Sequence, residues 1–414
     1  MSHTPFGKHP VFRTVPFLIA IGMSAKLVVD TTVQFFNPFL VVIASGVGIG
    51  TVTMGRIVAI RSLTGLVAPV LGSLADRIGH RTVIRASLLL MGVAMLVAPA
   101  TGSVVVFAIA VALTGVAQVG YTPNLHAYLS TRLPYERRAT GMGIIEYAWA
   151  LAGIVGLFVS GYLIDAYSWK VPFYAIGSTL IVMSLLFGLL PGAEPKPVFA
   201  DRREGGGTAR LLATARDLVR LGEHASSAWG AIVVTGLNMY AMLHLLIIHG
   251  GWLQSEYGLS ASSLGTVALI FGFADLVASV SVSLFVDRIG KRRSVIIGVV
   301  GMALGFAALP VLNRSLALAV IGIAIPRMSF EFAVVSSFPL LSEQAPASRG
   351  KVLSLSATAG LLGTTLAGLT GPAAYLRFGV WGLAPVSLGV SLVSLAILLA
   401  FVRDRPGAER SARP

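Results

Sequence analysis

Apolar runs near or above 20 residues recur along the whole sequence, and few other features restrict a fold so tightly. A helix needs about 20 apolar residues to cross a hydrocarbon core of about 30 Å. Twelve stretches meet that requirement: 13–37, 48–74, 82–100, 103–131, 139–165 and 170–191, then 229–253, 261–286, 294–312, 316–342, 350–376 and 380–402. The residues are 55% hydrophobic and only 12% charged, against roughly a quarter charged in a soluble domain. The first run carries Lys26 and Asp30 and lacks a small-residue cleavage site, so it reads as a span and not as a cleaved signal. The chain has no cysteine, which excludes disulfides and cysteine-ligated metals.

An even number of spans puts both termini on one side, and the basic residues say which. Of 31 Lys and Arg, only Lys170, Arg314 and Arg377 fall at one set of loops; four lie deep inside spans, and the rest lie in the termini, the opposite loops with the adjoining span ends, and the central linker. The positive-inside rule makes that basic side cytoplasmic. Charge placed this way needs no nucleic acid as partner. Residues 192–228 turn to Pro, Gly and charge, as an interdomain linker does. Within it, Leu211, Leu212, Ala215, Leu218 and Val219 share one helical face opposite Arg210, Arg216 and Arg220. That pattern suits a helix on the inner leaflet or an ordinary connector.

A ten-residue stretch occurs twice. Gly72, Ser73, Leu74, Ala75, Asp76, Arg77, Ile78, Gly79, His80 and Arg81 return as Ser283, Leu284, Phe285, Val286, Asp287, Arg288, Ile289, Gly290, Lys291 and Arg292, at an offset of 211 positions. The same offset carries Arg138 onto Arg349, and Ala152, Gly156 and Gly161 onto Gly363, Ala367 and Pro372. The expected fold is all-α and integral to the membrane: twelve transmembrane helices in two six-helix bundles, 1–191 and 229–414, related by a parallel pseudo-twofold repeat. Gly156 and Gly161 are expected to let helix backbones approach closely.

Twelve spans in two halves, a long central linker and this doubled loop resemble the major facilitator superfamily. The family signature runs Gly, three residues, Asp, Arg or Lys, one residue, Gly, then two basic residues. The first copy departs at His80 and the second at Ser283. Span five also resembles the glycine motif of the superfamily's drug/proton antiporters, through Ala152, Gly156, Leu157, Ser160 and Gly161, with several positions replaced. The arginine that many antiporters carry in span four has no counterpart among Val111, Ala112, Leu113 and Thr114. The resemblance implies a conformational latch at Gly72, Asp76, Arg77, Gly79 and Arg81, and again at Asp287, Arg288, Gly290 and Arg292. It also implies that spans one and ten line a central cavity.

Eight ionisable residues lie within spans: Lys26, Asp30, Arg56, Arg61, Glu146, Asp275, Arg327 and Glu331. Each costs roughly 2.5 to 3.5 kcal/mol at a helix centre, so pairing, snorkelling or a watery cavity must compensate them. At 1.5 Å per residue, Asp275 and Glu331 fall ~18 Å from the cytoplasmic ends, Arg61 ~22 Å, Asp30 ~25 Å and Glu146 ~12 Å. Lys26 with Asp30, and Arg327 with Glu331, stand four apart and can neutralise each other along one helical face. Asn124 and His126 flank Pro123 closely enough to join a polar lining, as do Asn238, Tyr240 and His244 in span seven. With the exception of Arg56, these polar and ionisable residues form the candidate substrate or proton site.

No phosphate-cradling loop, metal-spaced cluster or nucleophile elbow appears, so the chain is not expected to be an enzyme or to hold a cofactor or metal. The expected function is secondary active transport by alternating access in the cytoplasmic membrane, with proton-coupled export of small organic or drug-like molecules. The expected partners are a small-molecule substrate, protons and the lipid bilayer, and the chain is expected to act as a monomer. Uptake of a small organic anion or sugar, its charge met by Lys26, Arg56, Arg61 or Arg327, is the alternative. A membrane sensor that has lost flux is a third reading.

Overall fold

All regular structure in the computed structural model is helical among the described residues, which are 15–130, 132–133, 135–192, 221, 225–345 and 349–404. The linker helix expected at 211–220 lies outside them, and the side chains of Asp76, Arg138, Asp287 and Arg349 are likewise not described. The helices are α1 (Val15–Phe35), α2 (Leu40–Val47), α3 (Thr51–Leu63), α4 (Ala68–Ile78), α5 (His80–Val97), α6 (Val104–Ser130), α7 (Tyr135–Leu151), α8 (Phe158–Ala166) and α9 (Val171–Phe187). The second half follows with α10 (Ala225–Leu246), α11 (His249–Tyr257), α12 (Ala261–Ile289), α13 (Lys291–Leu312), α14 (Leu316–Gln344), α15 (Arg349–Phe378) and α16 (Val380–Phe401). Helices suit this composition because they satisfy their own backbone polar groups where no water can.

Among the described residues, ten helices are long and apolar enough to cross a membrane. Counting Leu40–Val47 and Thr51–Val67, which meet at 108°, as one bent span raises the number to eleven. The apolar helix α9 is shorter, at 17 residues. Span two, expected over 48–74, instead begins at Thr51 and tightens once inside, at Thr64–Val67, and a short helix, α2, stands before it where a loop was expected. Gly48 ends α2 in the left-handed conformation, at φ 79°, which only glycine adopts without steric cost. A tight turn at Thr64–Val67 then precedes α4, whose first turn holds Pro69, where a missing N–H costs no helical bond. Span five loosens into a wide turn at Ala152–Leu157, over its glycine face.

The chain groups into two compact units. The first takes in the described residues up to 192 together with Leu246–Leu276, and the second takes in those from 221 to Leu245 and from Val277 onward. In the first unit, Phe35, Phe36, Phe39, Phe107 and Phe173 are all fully buried. Their rings pack at centroid distances of 5.1 to 6.1 Å, mostly edge to face, a geometry that adds about 0.5–1.5 kcal/mol per pair beyond area burial. The second unit centres on Ala228, Val299, Ala333, Val352 and Leu398. Large apolar residues such as Leu89, Val93, Ile109, Leu185, Leu304 and Leu392 stay exposed, as a surface solvated by lipid requires.

Small residues set the closest helix approaches. A Cβ on Gly156 would collide with Thr31 of α1, and one on Gly161 with the backbone of Ala261 and Gly265 at the start of α12. Asp165, one turn past Gly161, accepts the backbone N–H groups of Ala261 at 3.1 Å and Ser262 at 2.8 Å. A carboxylate there satisfies orphan donors of α12 and faces the positive end of its dipole. In the second unit, Gly363 of α15 leaves no room for a Cβ against Gly236 and Tyr240 of α10.

The doubled loop stretch makes the same contacts in both units. Gly79 and Gly290 hold φ 90° and 96°, with ψ 137° and 141°, a region essentially closed to residues with a Cβ. Each turn delivers an arginine to the end of a later helix of the same unit, α9 in the first and α16 in the second. Arg81 donates to Leu190 O at 2.6 Å and Gly188 O at 2.8 Å, while Arg292 donates to Val402 O at 2.6 Å and Leu399 O at 3.1 Å. Both satisfy carbonyls that a helix C-terminus leaves unpaired. Gly79→Ala and Gly290→Ala are each expected to destabilise the protein by about 1–3 kcal/mol, read as a lower thermal midpoint of the purified full chain. Unchanged midpoints in both would contradict the strained-turn assignment.

Candidate functional site

Charges that three helices would otherwise expose to lipid converge inside the first unit. Lys26 and Asp30 stand one turn apart on α1, and their Nζ and Oδ2 meet at 2.7 Å, with side chains 4% and 5% exposed. Lys26 Nζ also lies 3.4 Å from Glu146 Oε2 on α7, and Glu146 Oε1 lies 2.7 Å from His126 Nε2 on α6. Glu146 is half exposed, at 52%. One ammonium therefore serves two carboxylates, one sealed and one open, and the open one touches a histidine.

The surroundings hold this arrangement in register. Gln34 of α1 donates to Trp149 O of α7 at 2.9 Å, and Tyr121 of α6 reaches Gly22 O of α1 at 3.4 Å. Together with the Gly156–Thr31 contact, these bonds fix α1 against both helices that carry the other members. Counting residues from the loops separated Asp30 from Glu146 in depth, because it treats every helix as straight and upright. The long side chain of Lys26 brings the two carboxylates into one cluster.

The other sequence candidates have neighbours of their own. Arg61 is buried, and donates from Nε to Thr114 Oγ1 at 3.0 Å and from Nη2 to Gln118 Oε1 at 3.1 Å; Arg56, one turn and a half earlier, is exposed. Asn124 lies 2.7 Å from His80 Nδ1 and donates to Gly120 O, so its amide faces α5 and its own helix. Because the amide nitrogen is taken by Gly120, the facing atom is an acceptor, and His80 Nδ1 carries the proton. In the second unit, Ser394 donates to Asn238 Oδ1 at 2.7 Å, Tyr240 meets Thr370 at 3.2 Å, and His244 is buried beside the Tyr240 ring. Glu331 accepts from Ser279 at 3.1 Å, Arg327 is half-buried on the same helix, and Asp275 is buried on α12. Lys291 of the second loop copy pairs with Glu343.

That geometry is joined by a direct correspondence in sequence, since the family model described as Major Facilitator Superfamily matches residues 22–252 and 228–413. The chain belongs to the major facilitator superfamily. It is 24% identical over 361 residues to an uncharacterized MFS-type transporter, YceJ, of Bacillus subtilis (strain 168), covering 84% of this chain and 86% of that one. It is also 24% identical over 240 residues to the multidrug resistance protein MdtG of Enterobacter lignolyticus, covering 57% and 55% of the two chains. Among solved structures, a bacterial homolog of the human lysosomal transporter Spinster, inward-facing and occupied, aligns with a TM-score of 0.72 at 13% identity, covering 95% of this chain and 99% of that one. The human organic anion transporter MFSD10 aligns with a TM-score of 0.65 at 18% identity, covering 94% and 100%. At such identities the likeness shows the fold. This superfamily membership makes the protein a multi-pass membrane transporter.

Sequence reasoning missed the partners of Arg61 and the grouping of His126 with Glu146. Neither Thr114 nor Gln118 carries charge, and a 20-residue separation between histidine and carboxylate has no helical periodicity to reveal it. One consequence concerns stability. Lys26→Gln leaves Asp30 buried without its cation, and is expected to cost about 3–5 kcal/mol. Adding Asp30→Asn is expected to recover much of that loss in unfolding measurements on the full chain. Equal losses in the single and double variants would contradict the buried pair.

Proposed function

We propose that this superfamily member is a secondary active transporter of the cytoplasmic membrane, exporting small organic or drug-like molecules in exchange for protons. The observation that carries the reading is the cluster of Lys26, Asp30, Glu146 and His126. With Lys26 charged, His126 neutral and both carboxylates ionised, the cluster holds one uncompensated negative charge. One proton, on Glu146 or on His126, neutralises it. A low-dielectric interior penalises the charged form, so proton occupancy and closure of the site favour each other. Half-exposed Glu146 is the group through which the proton enters, and Asp30 is the sealed partner that Lys26 holds.

Support for alternating access comes from the two units and the doubled loop. Counting the bent pair and α9 as one span each brings the helices to the twelve expected. The bundles are read as 1–191 and 229–414, joined by a cytoplasmic linker at 192–228, with both termini cytoplasmic and the chain a monomer. The arginine cap recurs at the 211-residue offset, and α1 packs on the glycine face of span five as α10 packs on α15, which suits a parallel repeat. Gly72, Asp76, Arg77, Gly79 and Arg81, with Asp287, Arg288, Gly290 and Arg292, act as the latch at the cytoplasmic face. Arg81 and Arg292 tie that latch to α9 and α16. Asn124 and Asp275 in the first unit, and Asn238, Tyr240, His244, Arg327 and Glu331 in the second, are the further candidates for contact with substrate or proton, and export follows the multidrug relatives.

Full-length protein in liposomes, assayed with a panel of fluorescent drug-like dyes, tests the reading. An imposed pH gradient should drive dye movement in the wild type. Glu146→Gln should abolish that driven movement and leave dye exchange at equal pH intact. Full gradient-driven transport in the Glu146→Gln, Asp30→Asn double variant would overturn proton coupling through the cluster.

A further inference from the structure

Arg61 is a buried cation whose charge no described residue offsets. It is 6% exposed, and its hydrogen-bond partners, Thr114 and Gln118, are neutral. Among the described residues no carboxylate lies within ion-pair distance of it. This separates it from Lys26, which has two carboxylates within 3.4 Å. The first unit thus carries two buried basic groups of opposite standing, one over-compensated and one bare.

The geometry around Arg61 is built. Gly115 on α6 admits the Arg61 backbone, since a Cβ there would overlap the Arg61 carbonyl and the Thr64 hydroxyl. Thr114 Oγ1 accepts from Arg61 Nε while donating to Val111 O at 2.6 Å, so its lone pair is aimed at the guanidinium. The guanidinium carbon stands 5.5 Å from the ring centre of buried Phe36. Of five N–H donors, Thr114 takes the one on Nε and Gln118 takes one on Nη2. Nη1 makes no hydrogen bond among the described residues. The donors left are those of Nη1 and the second of Nη2. That end of the fork is the one that binds a carboxylate through two parallel hydrogen bonds.

The geometry points to Arg61 as the recognition point for a carboxylate on the transported molecule, with Thr114 and Gln118 orienting the guanidinium and Phe36 offering an aromatic wall beside it. This assignment rests on the transporter reading above and gives its substrate a class: a small organic anion with a flat apolar body. Proton exchange at the Lys26 cluster and anion capture at Arg61 are then separate tasks of separate groups. A carboxylate and an inorganic halide would both offset the guanidinium, and the test separates them.

The thermal midpoint of the full chain in lipid nanodiscs is followed against sodium benzoate, benzamide and sodium chloride at constant ionic strength in sodium sulfate. Benzoate should raise the midpoint saturably and benzamide should not. Arg61→Gln should weaken the benzoate response by about thirtyfold or more, as loss of one partner of a buried charge pair does. Arg61→Lys, which keeps the charge without the fork, should fall between. Should Arg61→Gln fail to fold, Thr114→Val removes the acceptor that orients Nε, and should weaken the benzoate response while leaving the benzamide response flat. A wild type indifferent to benzoate, or an Arg61→Gln variant that responds as the wild type does, would overturn the site. Chloride acting as strongly as benzoate would overturn the carboxylate assignment. Gradient-driven dye transport, measured on the same preparation, keeps the two readings apart: flux without a benzoate effect sinks the anion site alone, and a benzoate effect without flux sinks the transport reading alone.

Discussion

A charge in hydrocarbon is costly until something compensates it, and the cluster around Lys26 in the first unit follows from that constraint. Lys26 cannot stand on α1 without an anion, and Asp30 one turn away supplies it. Glu146 then arrives as a second anion on a single cation, and the surplus has to be met by something that can come and go. A proton is the smallest such species. His126, against the far oxygen of Glu146, gives it a second place to rest. Proton coupling is therefore read from an imbalance of charge, not from the mere presence of acidic residues.

That imbalance depends on packing. The cluster draws on α1, which is distant in sequence from the consecutive helices α6 and α7, and the three meet because small residues allow it. Gly156 admits Thr31, the Gly22 carbonyl accepts from Tyr121, and Gln34 fastens α1 to the Trp149 carbonyl. Farther along span five, Gly161 and Asp165 seat the first turn of α12, so a helix from the far half of the sequence belongs to the first unit. The loop signature works by similar means. A glycine in a conformation closed to other residues turns the chain, and the arginine two positions later caps α9 in one copy and α16 in the other.

Much of this was legible in the sequence because it is written at fixed spacing. The apolar runs give the spans, the 211-residue offset gives the repeated loop, and the four-residue interval of Lys26 and Asp30 gives their pair. Gly156 and Gly161 announced close packing, and the structure supplies their neighbours. What stayed hidden depends on contacts between helices whose relative rotation no single helix encodes. His126 could not be joined to Glu146, nor Arg61 to Thr114 and Gln118, by any periodicity. The 108° bend at Gly48 escaped for a different reason: α2, only eight residues long, lies between the apolar runs 13–37 and 48–74 and was read as part of a loop. Lys291 illustrates a further limit of the repeat. It pairs with Glu343, but the same offset places Arg132 opposite His80, and His80 turns instead to Asn124. The two copies of the loop share their glycine turn and arginine cap and differ in the charges beside them.

The central claim is that Lys26, Asp30, Glu146 and His126 together hold one exchangeable proton. Infrared difference spectroscopy of the full chain in lipid, recorded between acid and alkaline pH, reads protonated carboxyl groups directly. The account predicts a carboxylic acid band that titrates in the wild type, disappears in Glu146→Gln and shifts its midpoint in Lys26→Gln. A spectrum in which neither a carboxylic acid nor an imidazolium band titrates, or in which the bands are indifferent to both substitutions, would contradict it.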